Sequence, residues 1–238
     1  MILMFVASLA AGMIWGIIPA IFKAYFNTNE TLFTLMLNYV AMQIVTFCIV
    51  YWENPAGSNT VGIINSATRA GWLPALGDLT YGWNVLIVLA FTFGMYIYMK
   101  YSKQGYEVAV VGESQDTARY ARINVKRTII RTMGISGGIC GIAGFLLVSG
   151  ASHTISTSTA GGRGFTAIIV AWLSKFNAFV MILVSFFLVF MEKGAIQIAS
   201  QFNLNENASD VITGIILFFI LGSEFFIRYR IAFTKAHK

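Results

Sequence analysis

The chain alternates between long apolar segments and shorter polar ones. Stretches of about 20 mostly apolar residues, the length that crosses a bilayer as a helix, occupy 2–22, 31–51, 83–101, 129–149 and 211–227. Another apolar region, 165–191, is interrupted by the polar run at 174–177. The pattern predicts an all-α, polytopic transmembrane bundle with about five full spans plus a broken helix pair.

A basic island at 102–128 separates the third and fourth predicted spans. Lys and Arg stand in or beside it at positions 100, 103, 119, 122, 126, 127 and 131, and loops rich in these residues stay in the cytoplasm. Each span carries the chain across the membrane once. If the island is cytoplasmic, the segments 52–82 and 150–164, one span away on either side, are therefore outside. Arg69 is the one basic residue of 52–82, which agrees with that side.

The C-terminal tail, with basic residues at 228, 230, 235 and 238, is then expected in the cytoplasm. With the last span running inward, 165–191 must begin and end outside. This predicts a re-entrant pair of short helices turning near Lys175. Broken helices at membrane depth need protein or a water-filled cavity around their exposed backbone, so the break is expected beside a pathway.

Composition excludes several classes of protein. The chain is 57% hydrophobic and 11% charged, whereas soluble domains carry about 25% charged residues. The basic residues that give the net charge of +6 flank the apolar spans. This placement indicates membrane topology and contact with lipid, and it excludes a nucleic-acid partner. Cys48 and Cys140 lie in apolar runs and offer neither a disulfide framework nor metal-ligand spacing.

Four segments, in order, carry a family resemblance. NETLFTLMLNY at 29–39 resembles the "NE…TLMLNY" segment of ABC-importer permeases for nucleosides and simple sugars, the ribose/nucleoside branch of binding-protein-dependent inner-membrane components. The run from 105 is similar to their "G…AVGEN…AARYAGI" loop. Segments 136–144 and 161–171 resemble "SGALAGLAG" and "GxGFxGIAVAL". Together the four blocks make a specific match over most of the chain.

The resemblance implies a single permease domain over 1–238, in a multi-pass protein of the bacterial plasma (inner) membrane with a cytoplasmic C-terminus. It implies pairing with a second permease copy or a paralogue, two ABC ATPase subunits that bind ATP and Mg²⁺, and an extracytoplasmic substrate-binding protein. This chain itself would bind no cofactor and perform no chemistry. Related permeases carry further spans ahead of residue 1, so we expect that N-terminal spans usual in the family are missing here.

The resemblance also assigns the segment 102–128 as the cytoplasmic coupling loop, which lies in a groove of the ATPase. The positions that match the family's loop are Gly112, Glu113, Ser114, Gln115, Thr117, Ala118, Arg119, Ala121, Arg122 and Ile123. This chain has Arg119 and Arg122 where the family has small residues. Because arginines need carboxylates or solvent opposite them, docking is expected to use additional salt bridges.

Taken without the resemblance, the residues of the loop allow two interpretations: a short helix and a solvated loop. Residues 116–122 would form two helical turns, with 113–115 at their start. Arg119 and Arg122, three apart, would then share one face. The same charges would also suit a solvated loop whose arginines merely hold the topology.

Pathway residues are harder to identify. Asn38 lies within an apolar span, where its amide can bond a ribose hydroxyl, a base edge or a neighbouring helix. Phe165 and Trp172 offer aromatic faces for a nucleobase or for packing. Gly137 and Gly141 have GxxxG spacing, typical of close helix contacts that are either static or mobile during transport. Replacing Gly141 with Leu is expected to impair assembly or function.

These features bear on three classes of function. An ABC-importer permease for a nucleoside or related simple sugar fits the four segments. A secondary transporter driven by an ion gradient, the alternative, would place acids in mid-span, whereas here they cluster at span ends and in loops. An intramembrane enzyme would need a nucleophile and base or a metal cluster, and the sequence shows neither an HExxH motif nor paired aspartates.

Overall fold

The structure is a computed structural model, and it describes residues 1–53, 55, 57–74, 77, 81–157 and 159–202, with positions 211, 214, 215, 218, 219, 222 and 223. The named helices of this part are α1 (Ile2–Phe26), α2 (Glu30–Trp52), α3 (Gly82–Tyr101), α4 (Lys103–Glu113), α5 (Gln115–Tyr120), α6 (Val125–Leu147), α7 (Arg163–Leu173) and α8 (Ala178–Gln201).

Five helices, α1, α2, α3, α6 with its π-helical extension Val148–Ser152, and α8, are long and apolar enough to cross a membrane. The prediction of a helical polytopic membrane protein is confirmed. The chain divides into two compact units, Met1–Thr159 with α1 to α6 and Ala160–Lys238 with α7 and α8. The predicted span 211–227, apart from the positions given above, and the basic tail lie outside the described residues.

Short polar side chains cap the starts of five of the eight named helices. Asn29 accepts hydrogen bonds from the backbone N–H groups of Thr31 and Leu32 at the start of α2. Ser102, Ser114 and Asn124 cap α4, α5 and α6 in the same way. Asn and Ser are favoured at this position because their side-chain oxygens satisfy N–H groups that have no partner within the helix. These caps separate the apolar spans from the polar helices between them.

The core of the first unit is the contact between α1 and α6. Gly12 and Gly16 of α1 face Gly137 and Gly141 of α6 so closely that a methyl group on any of them would overlap or crowd the backbone of the opposite helix. The predicted close contact at Gly137 and Gly141 is therefore present, and its partner surface is a second GxxxG pair. We call these four glycines the glycine seam.

An aromatic cluster continues this core towards the beginning of α1. The rings of Phe5 and Phe145 meet edge to face with centroids 5.8 Å apart, and Phe91 of α3 lies 6.5 Å from Phe5. Buried Ile142 and Leu146 complete the cluster. Phe91 thereby brings α3 into contact with the α1–α6 pair.

Two connecting segments meet where α6 ends. Three backbone N–H groups of the first segment donate to backbone carbonyls of the second: Val61 to Ile155 (3.1 Å), Ile64 to His153 (2.9 Å) and Leu73 to Ser149 (3.1 Å). Segment 57–74 thus packs on 148–157 at the end of the unit opposite α4 and α5. Counting spans from the cytoplasmic island also placed these two segments on a common side of the membrane.

The second unit shows where the apolar region 165–191 is broken. α7 ends at Leu173, and α8 begins after Asn177, whose side chain accepts from the N–H groups of Phe179 and Val180. The predicted break near Lys175 is confirmed. The prediction of two short re-entrant helices is wrong for the second of them, because α8 extends for 24 residues to Gln201. The apolar pattern resumes beyond Glu192 and Lys193 and lets the helix continue.

Candidate functional site

The basic island folds into two helices between spans α3 and α6. α4 follows α3 after the single residue Ser102, whose hydroxyl donates to the Tyr98 carbonyl (2.6 Å) and accepts from the Gly105 N–H (2.9 Å). Gly105 is buried against the Met99 backbone, where a side chain would collide. This sharp corner folds α4 back on the end of α3, so the island contains two helices.

Helix α5 has one buried residue, Ala118, and an exposed polar surface. Ala118 is fully buried, whereas Gln115, Thr117 and Tyr120 are exposed. The open surface of this short helix therefore consists of polar and aromatic groups.

The predicted sharing of one face by Arg119 and Arg122 is wrong. Arg119 lies on α5 and pairs with Asp116 at 3.3 Å, with both side chains mostly exposed, a pair of small energetic value. Arg122 follows the end of the helix with φ of 58°, because the N–H of Ile123 bonds back to the Ala118 carbonyl at 2.9 Å. α5 is also shorter than the predicted helix 116–122.

The residues matched to the family's loop lie together in this element. Gly112 and Glu113 end α4, and Ser114 connects it to α5. Gln115, Thr117, Ala118 and Arg119 lie on α5, and Ala121, Arg122 and Ile123 join it to α6. Glu113 therefore ends the preceding helix instead of starting α5, and Asp116 is the acid in the first turn of α5.

A polar cleft of about 480 Å³ opens beside α5, towards the end of α1. Lys23 and Tyr25 of α1 line it together with Arg119, Asn124 and Lys126. The Lys126 ammonium lies 4.6 Å from the centre of the Tyr25 ring, a distance typical of a cation–π contact. Lys23 also lies 3.7 Å from Glu30 and Arg119 pairs with Asp116, so Lys126 is the one of these three cations without a carboxylate in the described residues.

Sequence reasoning missed one further contact. Arg131 of α6 donates to Glu107 of α4 at 2.9 Å, and both side chains are mostly buried. The two residues are 24 positions apart on different helices, so no helical spacing indicates the pair. The signal in the sequence was the position of Arg131 just inside the predicted apolar span 129–149, where a charge requires a counter-charge.

The pathway candidates lie on α2 of the first unit and on α7 of the second. Asn38 is exposed on α2, and its amide is 4.0 Å from the Met42 sulfur. Phe165 and Trp172 lie two turns apart on α7 and are 57% and 60% exposed. Their role in binding substrate stays a prediction. The described residues contain no group of three metal-ligating side chains.

Comparison with known proteins identifies the family. The model of the branched-chain amino acid transport system / permease component family matches residues 1–221. The chain is 27% identical to the glucose ABC transporter permease protein of Haloferax volcanii, over 96% of this chain and 63% of that protein. It is 29% identical to the guanosine ABC transporter permease protein of Bacillus subtilis, over 92% and 64%. No solved structure matches the chain.

A nucleoside ABC transporter permease protein of Lactococcus lactis is 26% identical over 99% of this chain and 67% of its own length. The chain thus spans about two thirds of the length of these relatives. The family consists of transport components and not of enzymes. The predicted resemblance to ABC permeases is confirmed, and the chain belongs to the branched-chain amino acid transport system / permease component family.

Proposed function

We propose that this chain is a membrane permease subunit of an ABC importer for a nucleoside or related simple sugar. The observation that carries the proposal is the α4–α5 element, a compact polar and basic projection held between two spanning helices in a member of a permease family. The substrates named for the relatives, glucose, guanosine and nucleosides, support the proposed substrate class.

In this proposal α5 and the connection to α6 are the surface that an ATPase subunit binds from the cytoplasm. The buried Ala118 fixes α5 to the membrane helices, while the exposed Arg119 and Arg122 remain available for carboxylates of the ATPase. Lys126, at the edge of the cleft, adds a third cation. ATP and Mg²⁺ bind to the ATPase, and this chain needs no cofactor of its own.

Substrate would reach the membrane from an extracytoplasmic binding protein and cross along an interface with a second permease, identical or paralogous. Segments 57–74 and 148–157 lie opposite α5 within the first unit, which suits them to the side facing the binding protein. Asn38, Phe165 and Trp172 are the residues we propose for substrate contact. Uptake of labelled guanosine and glucose by the reconstituted transporter would identify the substrate class.

Co-purification tests the proposal. Tagged chain is expressed with the ATPase encoded beside it, as wild type, as the Arg119→Glu, Arg122→Glu double variant, and as an Arg163→Glu control. Arg163 is exposed at the start of α7 and carries the same charge reversal away from the island. We expect capture by wild type and the control, and at least about a tenfold loss in the double variant, as for charge reversal at close interfacial pairs.

Two results would count against the proposal. If wild type captures no ATPase in detergent or in lipid nanodiscs, the assignment as an importer fails, and ion-gradient-driven uptake becomes the next measurement. If the double variant captures ATPase as well as wild type does, the docking surface is not at α5.

A further inference from the structure

The shortest ion pair of the described residues joins α4 to spanning helix α6. The Nη2 atom of Arg131 lies 2.9 Å from Oε2 of Glu107. Their side chains are 25% and 22% exposed, whereas the carboxylates of the other two ion pairs in this part of the chain are 55% and 81% exposed. Solvent therefore screens the Glu107–Arg131 pair least.

Within the described residues, Arg131 depends on this one partner. Its Nε atom is buried and has no hydrogen-bond acceptor. Arg131 is the seventh residue of α6, roughly 9 Å along the helix axis from its start, where an unpaired charge is costly. Removing Glu107 would leave a partly buried charge without compensation, so the pair resists separation of α4 from α6.

The pair also closes a loop in the chain. Between Glu107 and Arg131 the backbone passes through the rest of α4, through α5 and the connection at 121–124, and into α6. Within this loop Ala118 is fully buried, and the hydrogen bond from the Ile123 N–H to its carbonyl closes the end of α5. The ion pair therefore ties the first half of α4, which precedes α5, to α6, which follows it.

We propose that Glu107 and Arg131 are positioning residues that make α4, α5 and α6 move as one body during transport. The inference rests on the proposed function, since the force is supplied by an ATPase bound at α5. α6 passes the displacement to α1 through the glycine seam, where backbone meets backbone without intervening side chains. The ion pair thus determines how much of the movement of α5 reaches the spanning helices.

The test measures substrate uptake per ATP hydrolysed by the intact transporter in liposomes, with ATPase capture as a second readout. In Glu107→Gln and in Arg131→Gln we expect this ratio to fall about fivefold or more, while capture stays within about twofold of wild type. The double Gln variant should be no worse than the poorer single variant, because both changes remove one interaction. The exchanged pair, Glu107→Arg with Arg131→Glu, should recover at least about half of the ratio.

Arg127→Gln is the matched control, because Arg127 is exposed in the first turn of the same helix and its replacement removes the same charge. Its ratio should stay within about twofold of wild type, as for other exposed charges. Should Arg131→Gln fail to fold, Arg131→Lys keeps the positive charge without the guanidinium fork, and normal capture with a reduced ratio is then expected.

Three results would overturn the inference. The first is an unchanged ratio in both single variants, and the second is loss of capture in parallel with the ratio, which would assign the pair to folding alone. The third is an exchanged pair that captures ATPase normally but recovers none of the coupling. Absence of ATP-driven uptake by the wild-type complex is a different outcome, because it would remove the proposed function itself.

Discussion

The glycine seam permits a prediction with a built-in control. A methyl group at Gly141 would overlap the carbonyl oxygen of Ser8 and lie 3.0 Å from its carbonyl carbon and 3.3 Å from the Cα of Gly12. These are backbone atoms, which cannot rotate away as a side chain can. Gly141→Ala should therefore force α1 and α6 apart.

The size of the effect follows from two opposing terms. Overpacking a tight contact costs about 1–3 kcal/mol, and a rigid backbone on the other side argues for the upper value. Ala favours the helix by about 1 kcal/mol relative to Gly, so we expect Gly141→Ala to destabilise by about 2 kcal/mol. A methyl group at Gly144 meets nothing within 4 Å, so Gly144→Ala should keep only the helix-favouring term.

Reversible unfolding in mixed detergent and SDS micelles, followed by tryptophan fluorescence, measures this difference. The free energy of unfolding should fall for Gly141→Ala and stay level or rise for Gly144→Ala, a separation of about 2–3 kcal/mol. Equal free energies of unfolding for the two variants would refute the argument that backbone contact at the seam leaves no room for a methyl group. Gly141→Leu adds a much larger group at the same place and should prevent assembly.

Three further perturbations have defined outcomes. Ser114→Ala removes the oxygen that accepts the Thr117 N–H (3.2 Å) and should cost about 1 kcal/mol of local stability, seen as faster amide exchange in α5. Trp72→Ala removes the ring stacked 3.9 Å from His153 and should expose segment 57–74 to proteases without changing ATPase capture. Asn177→Ala removes the acceptor for two N–H groups at the start of α8 and should cost about 1–2 kcal/mol, with faster exchange confined to its first turn.

Local rules explain why much of the fold could be predicted. A stretch of about 20 apolar residues has few alternatives to a membrane helix, so the predicted spans 2–22, 31–51, 83–101 and 129–149 agree with α1, α2, α3 and α6 to within a few residues. Capping depends on one side chain and the next few N–H groups, yet the starts of α4 after Ser102 and of α6 after Asn124 were not predicted, since the predicted span began at 129.

Contacts between helices were not readable in the same way. The spacing of Gly137 and Gly141 indicated a close contact, but the sequence did not select Gly12 and Gly16 as the opposite surface. The Glu107–Arg131 pair joins different helices, and its existence depends on the corner at Ser102. The length of α8 was not predicted, because the requirement that 165–191 begin and end on one side of the membrane allowed only two short helices there.

Helix α6 connects the features of the first unit to which we assign roles in transport. Its 23 residues extend about 34 Å, comparable to the thickness of a bilayer core. At one end it is held to α4 by Arg131. At the other it continues into the π-helical turn, where Ser149 donates to the Gly71 carbonyl and accepts from the Leu73 N–H.

π-Helical turns are local departures from regular helix geometry and occur often at functional sites. Here the turn joins a span whose seam is rigid to a segment held by a few backbone hydrogen bonds, including that from the Ile64 N–H to His153. Because the glycine backbones are already in contact, we expect α1 to share a displacement of α6 at the seam. The hydrogen bonds at the π-helical turn would carry the same displacement to segment 57–74, so helix α6 links the two ends of this unit.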